Sequence, residues 1–133
     1  MNESYRLTEK EFDSVTQLDG PARFKHFVSR VADWQKVWGL RSDSGWVSVG
    51  YDDGNSGFPV WPHPQYAAAC ATGEWAENRP ASIDVHEFVE SWLLNMTDDG
   101  VKVAVFPTPK MRGVFVEARG LQRMLQDELE QYE

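Results

Sequence analysis

A histidine, a cysteine and a glutamate lie close enough in the sequence to suggest nucleophilic chemistry. His63 precedes Cys70 by seven residues, and Glu74 follows shortly after. A thiol needs activation by a neighbouring base, and His63 is the nearest histidine. Cys70, however, is flanked by small apolar residues, where a free cysteine usually packs as a small hydrophobic residue. A small enzyme or metabolite sensor centred on His63, Cys70 and Glu74 is therefore an alternative that the sequence leaves open.

Metal and cofactor chemistry has weaker support. His86 and Glu90 share one face of a predicted helix, but the second histidine of a zinc-binding HExxH motif is absent. The run Asp52-Asp53-Gly54-Asn55 lacks the alternating ligands and the closing glutamate of a calcium loop, and it is typical of a hairpin turn. No glycine pattern matches a phosphate-binding loop. We expect no metal and no cofactor.

Aromatic residues and prolines concentrate in the segment 58–64, and Trp75 lies a little further along. Prolines stiffen a chain, and aromatic side chains on a stiff segment lose little entropy when a partner binds. This pattern predicts a binding site at Phe58, Trp61, His63, Glu74 and Trp75. Whether Trp61 and Trp75 line such a site or fill the core stays open at this stage. Helical or strand periodicity instead assigns three further tryptophans to the core, namely Trp34, Trp46 and Trp92.

Composition narrows the classes of function. The chain has 133 residues, a formal net charge of −8 and a sequence pI near 4.8, which argues against a nucleic-acid-binding protein of the usual basic kind. No apolar run is long enough for a membrane span, and the first residues lack the apolar region of a signal peptide. A single cysteine fits a reducing compartment. We therefore expect a cytoplasmic protein with no nucleic-acid or membrane partner.

Basic residues cluster in two segments of this acidic chain. The first lies within residues 23–41 and the second within residues 102–112. If the two segments meet in the fold, they form a local positive patch that attracts an anionic partner. The simpler interpretation is that the first segment is the solvated side of an amphipathic helix.

Hydrophobic periodicity predicts an α+β domain with the element order ααβββααββα. The expected helices cover about residues 8–19, 21–34, 65–72, 84–98 and 121–132. The expected strands cover about residues 36–40, 46–51, 58–61, 101–106 and 113–117. Most of these strands are joined by hairpins. We therefore expect a single domain over residues 1–133, with a mainly antiparallel sheet of about five strands and four to five helices.

Several motifs resemble a bacterial family known as DUF2750, a domain of unknown function. They include Phe58-Pro59-Val60-Trp61-Pro62-His63-Pro64 and Cys70-Ala71-Thr72-Gly73-Glu74-Trp75-Ala76. Further matches are Phe88-x-x-x-Trp92-Leu93 and Val105-Phe106-Pro107-Thr108. The resemblance spans about residues 21–125 and implies a single small α+β domain in bacteria. It brings no established activity, ligand or catalytic residues.

The sequence favours a non-catalytic interaction or ligand-binding module over an enzyme. Its partner is expected to be a protein or a small ligand, and a homodimer is possible. A toxin-neutralising immunity protein is a further alternative, because it fits the acidity and the size. A deep pocket with convergent polar groups at His63 would favour an enzyme or sensor, whereas a flat exposed aromatic patch would favour an interaction module.

Overall fold

Helices begin and end the described part of the chain, and short strands lie between them. The computed structural model describes residues 6–50 and 56–131. Its α-helices are α1 (Glu9–Thr16), α2 (Gly20–Trp34), α3 (Pro64–Ala69), α4 (Val85–Glu87), α5 (Leu93–Asp99) and α6 (Ala118–Glu130). Its strands are β1 (Lys36–Ser42), β2 (Gly45–Trp46), β3 (Val49–Gly50), β4 (Ser56–Val60), β5 (Arg79–Asp84), β6 (Lys102–Val105) and β7 (Val114–Val116). The predicted α+β class is confirmed.

The strands form two sheets rather than the one sheet of about five strands that we expected. One sheet has the order β2-β1-β5, and the other has the order β3-β4-β6-β7. Strands β4 and β6 are parallel, with Gly57 opposite Lys102 and Val60 opposite Val105. The parallel pairing arises because the long connection between these strands holds α3, β5 and the helices α4 and α5, which return the chain to the start of the sheet. The predicted turn at 52–55 lies outside the described residues.

Strand β5 was missing from the sequence-based order. It pairs antiparallel with β1 over six residue pairs, from Lys36↔Asp84 to Arg41↔Arg79. Its sequence mixes charged, polar and apolar residues and contains Pro80, so it shows neither strand alternation nor a continuous apolar run. Proline is tolerated in β5 because this strand lies at the edge of its sheet.

An antiparallel bridge between Trp38 and Trp61 connects the two sheets. The backbone N–H of Trp38 donates to the Trp61 carbonyl at 2.9 Å, and the N–H of Trp61 donates to the Trp38 carbonyl at 2.8 Å. The predicted strand 46–51 is divided between the two sheets, because β2 pairs with β1 whereas β3 pairs with β4. The backbone therefore changes sheets between Trp46 and Val49.

The helical segment 85–99 was predicted as one regular α-helix, but it contains a π-helical turn. Helix α4 continues into π-helical Phe88–Trp92 and then into α5. Within that turn, the Trp92 ring lies 5.3 Å from the Trp46 ring and 5.5 Å from the Phe58 ring. Gly100 ends this helical segment, and its backbone adopts the left-handed conformation, at φ 72°. No helix in the two described ranges is long and apolar enough to cross a bilayer.

Trp34 is not in the core, contrary to the prediction from helical periodicity. It is 41% exposed, because α2 ends at this residue and Gln35 turns the backbone into the left-handed region, at φ 61°. The preceding members of the same apolar stripe, including Phe27 and Val31, are fully buried. The last turn of the helix therefore projects beyond the core that the rest of the stripe covers.

The four-stranded sheet has two different faces. Alternation and register place Phe58, Val60, Val103, Val105 and Val114 on one face. That face packs on helices, since Phe58 contacts Trp92 and Val114 approaches Gly20 at the start of α2. The other face carries Val49, Gly57, Pro59, Ala104 and Phe115. This second face positions the site described next.

Candidate functional site

A cleft opens on the second face of the four-stranded sheet. Its volume is about 490 Å³, within the range of about 300–1,000 Å³ that is typical of small-molecule sites. No residue that lines it within the described chain belongs to an α-helix. We call it the sheet cleft and define it by the six residues that shape it: Glu74, Trp75, Ala104, Arg112, Gly113 and Phe115.

Small residues leave the room for this cleft. A Cβ atom on Gly57 would lie 2.8 Å from Cε2 of Phe115, so the phenyl ring lies directly over the glycine. A Cβ on Gly113 would lie 3.1 Å from the backbone of Ala104. Ala104 itself is opposite Phe115 in the register of β6 and β7. Larger side chains at these positions would fill the floor of the cleft or displace its aromatic wall.

The 3₁₀ turn Gly73–Trp75 supplies a second wall and a carboxylate. Backbone hydrogen bonds hold the turn on both sides, because Trp75 N donates to Thr72 O at 3.0 Å and Asn78 N donates to Trp75 O at 3.0 Å. Gly73 begins the turn at φ 59°, a conformation that glycine adopts without strain. The Trp75 indole is half-buried, whereas Glu74 is exposed. Both side chains are therefore carried on a well-defined turn.

Arg112 brings a positive charge to the side of the cleft that the connection between β6 and β7 forms. Its guanidinium carbon lies 5.5 Å from the centroid of the Phe115 ring, a cation–π distance. Arg112 belongs to the connection between β6 and β7, which we call the β6–β7 loop (Phe106–Gly113). The cleft thus combines two aromatic walls, one carboxylate and one guanidinium.

The buried side chain of Arg23 holds the β6–β7 loop in place. Although it is an arginine, it is only 2% exposed. Its Nε donates to Phe106 O at 3.0 Å, its Nη2 donates to Arg112 O at 3.0 Å, and its Nη1 donates to Leu18 O at 2.8 Å. Its Nη1 also lies 3.3 Å from the Met111 sulfur. One side chain therefore ties both ends of the loop to the start of α2.

Burial of this charge affects the pKa of the Arg23 guanidinium. Desolvation lowers the pKa of Arg23, and the charge of Asp19 acts in the opposite direction. Carbonyl oxygens compensate the guanidinium in place of a paired carboxylate. The two basic segments of the sequence do meet, but they meet through this buried network, so Arg23 is not part of a solvated helix face.

The conformation of Phe106 shows how closely the loop is constrained. It is fully buried and has φ 57°, which is uncommon for a residue other than glycine. Such a conformation persists only where the surroundings determine it. Here Phe106 N donates to Val60 O at 2.8 Å, and its ring lies 4.7 Å from the Tyr66 ring. The loop is therefore built as a rigid part of the domain.

Trp61 supports the same loop from beneath. Its side chain is fully buried, and Nε1 donates to Pro107 O at 2.8 Å. The Cys70 sulfur lies 3.5 Å from the same carbonyl oxygen. Thr108 then folds the next residues into a turn, because its Oγ1 accepts from Met111 N at 3.0 Å. Trp61 is thus placed to position the cleft rather than to line it.

The five residues predicted as a binding site do not form one surface. Glu74 and Trp75 line the sheet cleft. Phe58 lies on the opposite sheet face, with its ring 5.8 Å from Trp46. Trp61 and His63 are buried, at 0% and 4% exposure. The proline-rich segment is stiff because it passes through the core, which the sequence alone could not distinguish from a stiff surface segment.

His63 has a structural role at the start of α3. Its Nδ1 accepts a hydrogen bond from Gln65 N at 3.1 Å, so it caps the helix. Its ring also makes an edge contact with Tyr66, with centroids 6.1 Å apart. His63 lines none of the four clefts described on the second sheet face, along α1, between α2 and α6, and beside the β6–β7 loop.

Arg112 and Phe115 are the site residues that sequence reasoning missed. Arg112 was counted only as part of a basic segment, and Phe115 only as part of a strand. The sequence pattern that could have indicated them is Arg112-Gly113-x-Phe115. It puts a cation, a small residue and an aromatic residue at the start of one strand. Its meaning depends on Gly57, more than 50 residues away in the chain.

Cys70 has the environment of a packed thiol. It is buried, and burial raises the pKa of its thiol to about 11, although a hydrogen bond with Trp61 acts in the opposite direction. A thiol with this pKa is almost entirely protonated at neutral pH and is a poor nucleophile. Within the described residues, no group of three His, Cys, Asp or Glu side chains is arranged to hold a metal ion.

Thiol labelling tests this assignment of Cys70. We expect native protein to react slowly with a disulfide reagent, with a rate that rises about tenfold per pH unit between pH 7 and 9 as the thiolate fraction grows. Replacing Cys70 by alanine should lower the free energy of unfolding by only about 1–2 kcal/mol. Rapid labelling of folded protein at pH 7, at the rate of the denatured chain, would contradict the assignment.

A second cleft lies between the β6–β7 loop and α1. Its volume is about 520 Å³, and Phe12, Thr108, Pro109 and Met111 are among the residues that line it. We call it the helix cleft. It also carries charges of opposite sign, on Asp13 and Lys110, but Phe12 is the one aromatic residue among the described residues that line it.

Comparison with known proteins identifies the family. The family described as "Protein of unknown function (DUF2750)" matches residues 24–125. The chain belongs to the DUF2750 family. The DUF2750 match covers the whole sheet cleft, the buried Trp61 and the thiol of Cys70, whereas Arg23 lies immediately before it and α1 lies outside it. No curated protein and no solved structure matches the chain.

Proposed function

We propose that this chain is a non-catalytic binding module and that its ligand is a small molecule that occupies the sheet cleft. The observation that carries the proposal is the position of Trp75 and Phe115 as two walls of a cleft of about 490 Å³. Aromatic walls provide apolar contact area, and a few polar groups then orient the ligand. Glu74 and Arg112 are such groups.

The rigidity of the cleft supports a binding role. Arg23 and Trp61 together fix three carbonyl groups of the β6–β7 loop, those of Phe106, Pro107 and Arg112. A site whose walls are fixed before the ligand arrives loses less conformational entropy on binding. Less of the binding free energy is then needed to order the protein.

The chemistry of the other candidate residues favours binding over catalysis. Cys70 is a protonated thiol with a pKa of about 11, and Nδ1 of His63 is engaged by the backbone at Gln65. Glu74 belongs to the sheet cleft, whereas His63 is buried at the start of α3. An enzyme that uses His63, Cys70 and Glu74 together therefore has less support than a binding module.

The cell compartment is part of the proposal. We infer a bacterial cytoplasm, because the family resemblance implies bacteria and a single buried thiol suits a reducing compartment.

A ligand screen observed by NMR tests the proposed function. The indole N–H signal of Trp75 is assigned by its loss in Trp75→Phe, and a library of small aromatic metabolites is added to the full chain. We expect the compounds that bind to shift this signal, and Trp75→Ala to weaken their affinity at least about fivefold because it removes one wall. Trp34→Ala is the matched control, since Trp34 is an exposed tryptophan that does not line the cleft.

Two results would count against the proposal. One is a library in which no compound shifts the Trp75 indole signal. The other is a set of binding compounds whose affinities are lowered by Trp34→Ala and left unchanged by Trp75→Ala.

A further inference from the structure

An apolar groove lies between α2 and α6, on a part of the surface that is separate from the sheet cleft. Its volume is about 530 Å³, and no residue of either helix lines the sheet cleft. Phe24 and Val28 of α2 form one side of the groove, and Met124 of α6 forms the other. Met124 is 47% exposed, although its side chain is large and apolar. This α2–α6 groove therefore holds apolar surface that a partner would remove from water.

The charges of α6 are separated along the helix. Arg119 and Arg123 lie in its first half, whereas its second half carries Asp127, Glu128 and Glu130. This order opposes the helix dipole, which favours acidic residues in the first turn and basic residues in the last turn. Helix α6 has neither. The stability of α6 on its own therefore does not explain the order of its charges.

A glycine in α6 leaves open space beside the exposed methionine. Gly120 lies four residues before Met124, so the two residues are neighbours on one side of the helix. Glycine destabilises a helix relative to alanine. Apart from the adjoining backbone of α6, no described atom lies within 4 Å of the Cβ that another residue would have at this position. Packing within the described chain therefore does not require this glycine, whereas a second helix that packs closely on α6 would use the space.

We propose that the α2–α6 groove binds a second copy of this chain, with the two α6 helices antiparallel about a two-fold axis. In this arrangement the basic first half of each α6 lies against the acidic second half of the other, so the charge pattern complements itself. Met124 of each copy packs in the groove of the other copy. A parallel pair would instead bring like charges together. The inference goes beyond the proposed function, because it concerns a different surface.

Sedimentation velocity of the full chain tests the self-association. Between about 10 μM and 1 mM, we expect the average mass to rise from one chain towards two and no further, because a two-fold contact is closed. Met124→Gln keeps the length of the side chain but puts a polar group in the apolar contact, so it should weaken dimerisation at least about fivefold. The matched control is Leu94→Gln, since Leu94 is an exposed apolar residue of α5 that does not line the groove.

Charge reversal tests the antiparallel arrangement. One double variant, Arg119→Glu with Arg123→Glu, makes both halves of α6 acidic. The other, Asp127→Arg with Glu128→Arg, makes both halves basic. Each double variant alone should dimerise at least about tenfold more weakly than the unaltered chain, because like charges then meet. An equimolar mixture of the two should form a mixed dimer at least as tightly as the unaltered chain, because opposite charges then lie along both halves.

A reversal of two charges elsewhere controls for the change in net charge. Arg6 and Lys10 are exposed and lie outside both α2 and α6. Arg6→Glu with Lys10→Glu changes the net charge as much as the acidic double variant of α6 does. We expect this control to dimerise within about twofold of the unaltered chain at physiological salt, where distant charges are largely screened.

Three results would overturn the proposal. The first is a chain that sediments as a monomer up to about 1 mM, which would leave the groove to another protein or to none. The second is a dimer that Met124→Gln weakens no more than Leu94→Gln does. The third is a pair of charge-reversed variants that each dimerise as tightly as the unaltered chain. None of these results bears on the sheet cleft, whose ligand screen reads the Trp75 signal.

Discussion

Replacing Arg23 by methionine is expected to lower the free energy of unfolding by about 3 kcal/mol or more, and to weaken ligand binding in the sheet cleft. The substitution removes the donors that Phe106 O, Leu18 O and Arg112 O now use. A buried carbonyl that loses its partner costs about 1–3 kcal/mol, and methionine restores only the apolar volume. Urea unfolding measures the stability, and the Trp75 indole signal reports the cleft.

The matched control for Arg23 is the nearby exposed cation Lys25. Lys25→Met removes the same charge from the same helix without touching the β6–β7 loop, so it should change stability by no more than about 0.5 kcal/mol. If Arg23→Met and Lys25→Met proved equally mild, the guanidinium would not be what holds the loop. Arg23→Lys adds a further comparison, because a lysine keeps the charge but cannot reproduce the fork of donors.

Replacing Trp61 by alanine should destabilise the domain by about 3–5 kcal/mol, since Trp61 is fully buried at the junction of the two sheets. Trp61→Phe separates packing from hydrogen bonding. It keeps an aromatic ring but removes the Nε1 donor to Pro107 O, so we expect a loss of about 1–3 kcal/mol. Thermal and urea unfolding of both variants measure the two contributions.

Trp34→Phe provides the baseline for these changes. Trp34 is 41% exposed, so its replacement should shift stability by no more than about 0.5 kcal/mol. A Trp61→Ala protein with the stability of Trp34→Phe would show that the junction is not where the structure places it.

Local patterns predicted most of the elements because the forces behind them are local. The stripe through Phe27 and Val31 marked α2, and the apolar run in 101–106 marked the strand that became β6. Pairing was harder to predict. The parallel contact of β4 with β6 depends on a connection of about 40 residues, and β5 carries Pro80 and few apolar residues, so it has little pattern of its own.

The site was predicted in part, and the missing part has a physical explanation. Glu74 and Trp75 line the cleft, but Trp61 and His63 act from the core. Stiff aromatic segments look the same in sequence whether they pass over a core or through it. Arg23 illustrates the same limit, because two of its partners, Phe106 and Arg112, are 83 and 89 residues away. Burial of a charge is decided by such distant partners.

The most direct test of the sheet cleft as the binding site is a crystal structure of the full chain soaked with one probe, the compound of the aromatic metabolite library that shifts the Trp75 indole signal most. The account predicts this probe between Trp75 and Phe115, beside Glu74 and Arg112. A probe found only in the helix cleft at Phe12 and Met111, or in the groove between α2 and α6 at Met124, would contradict it.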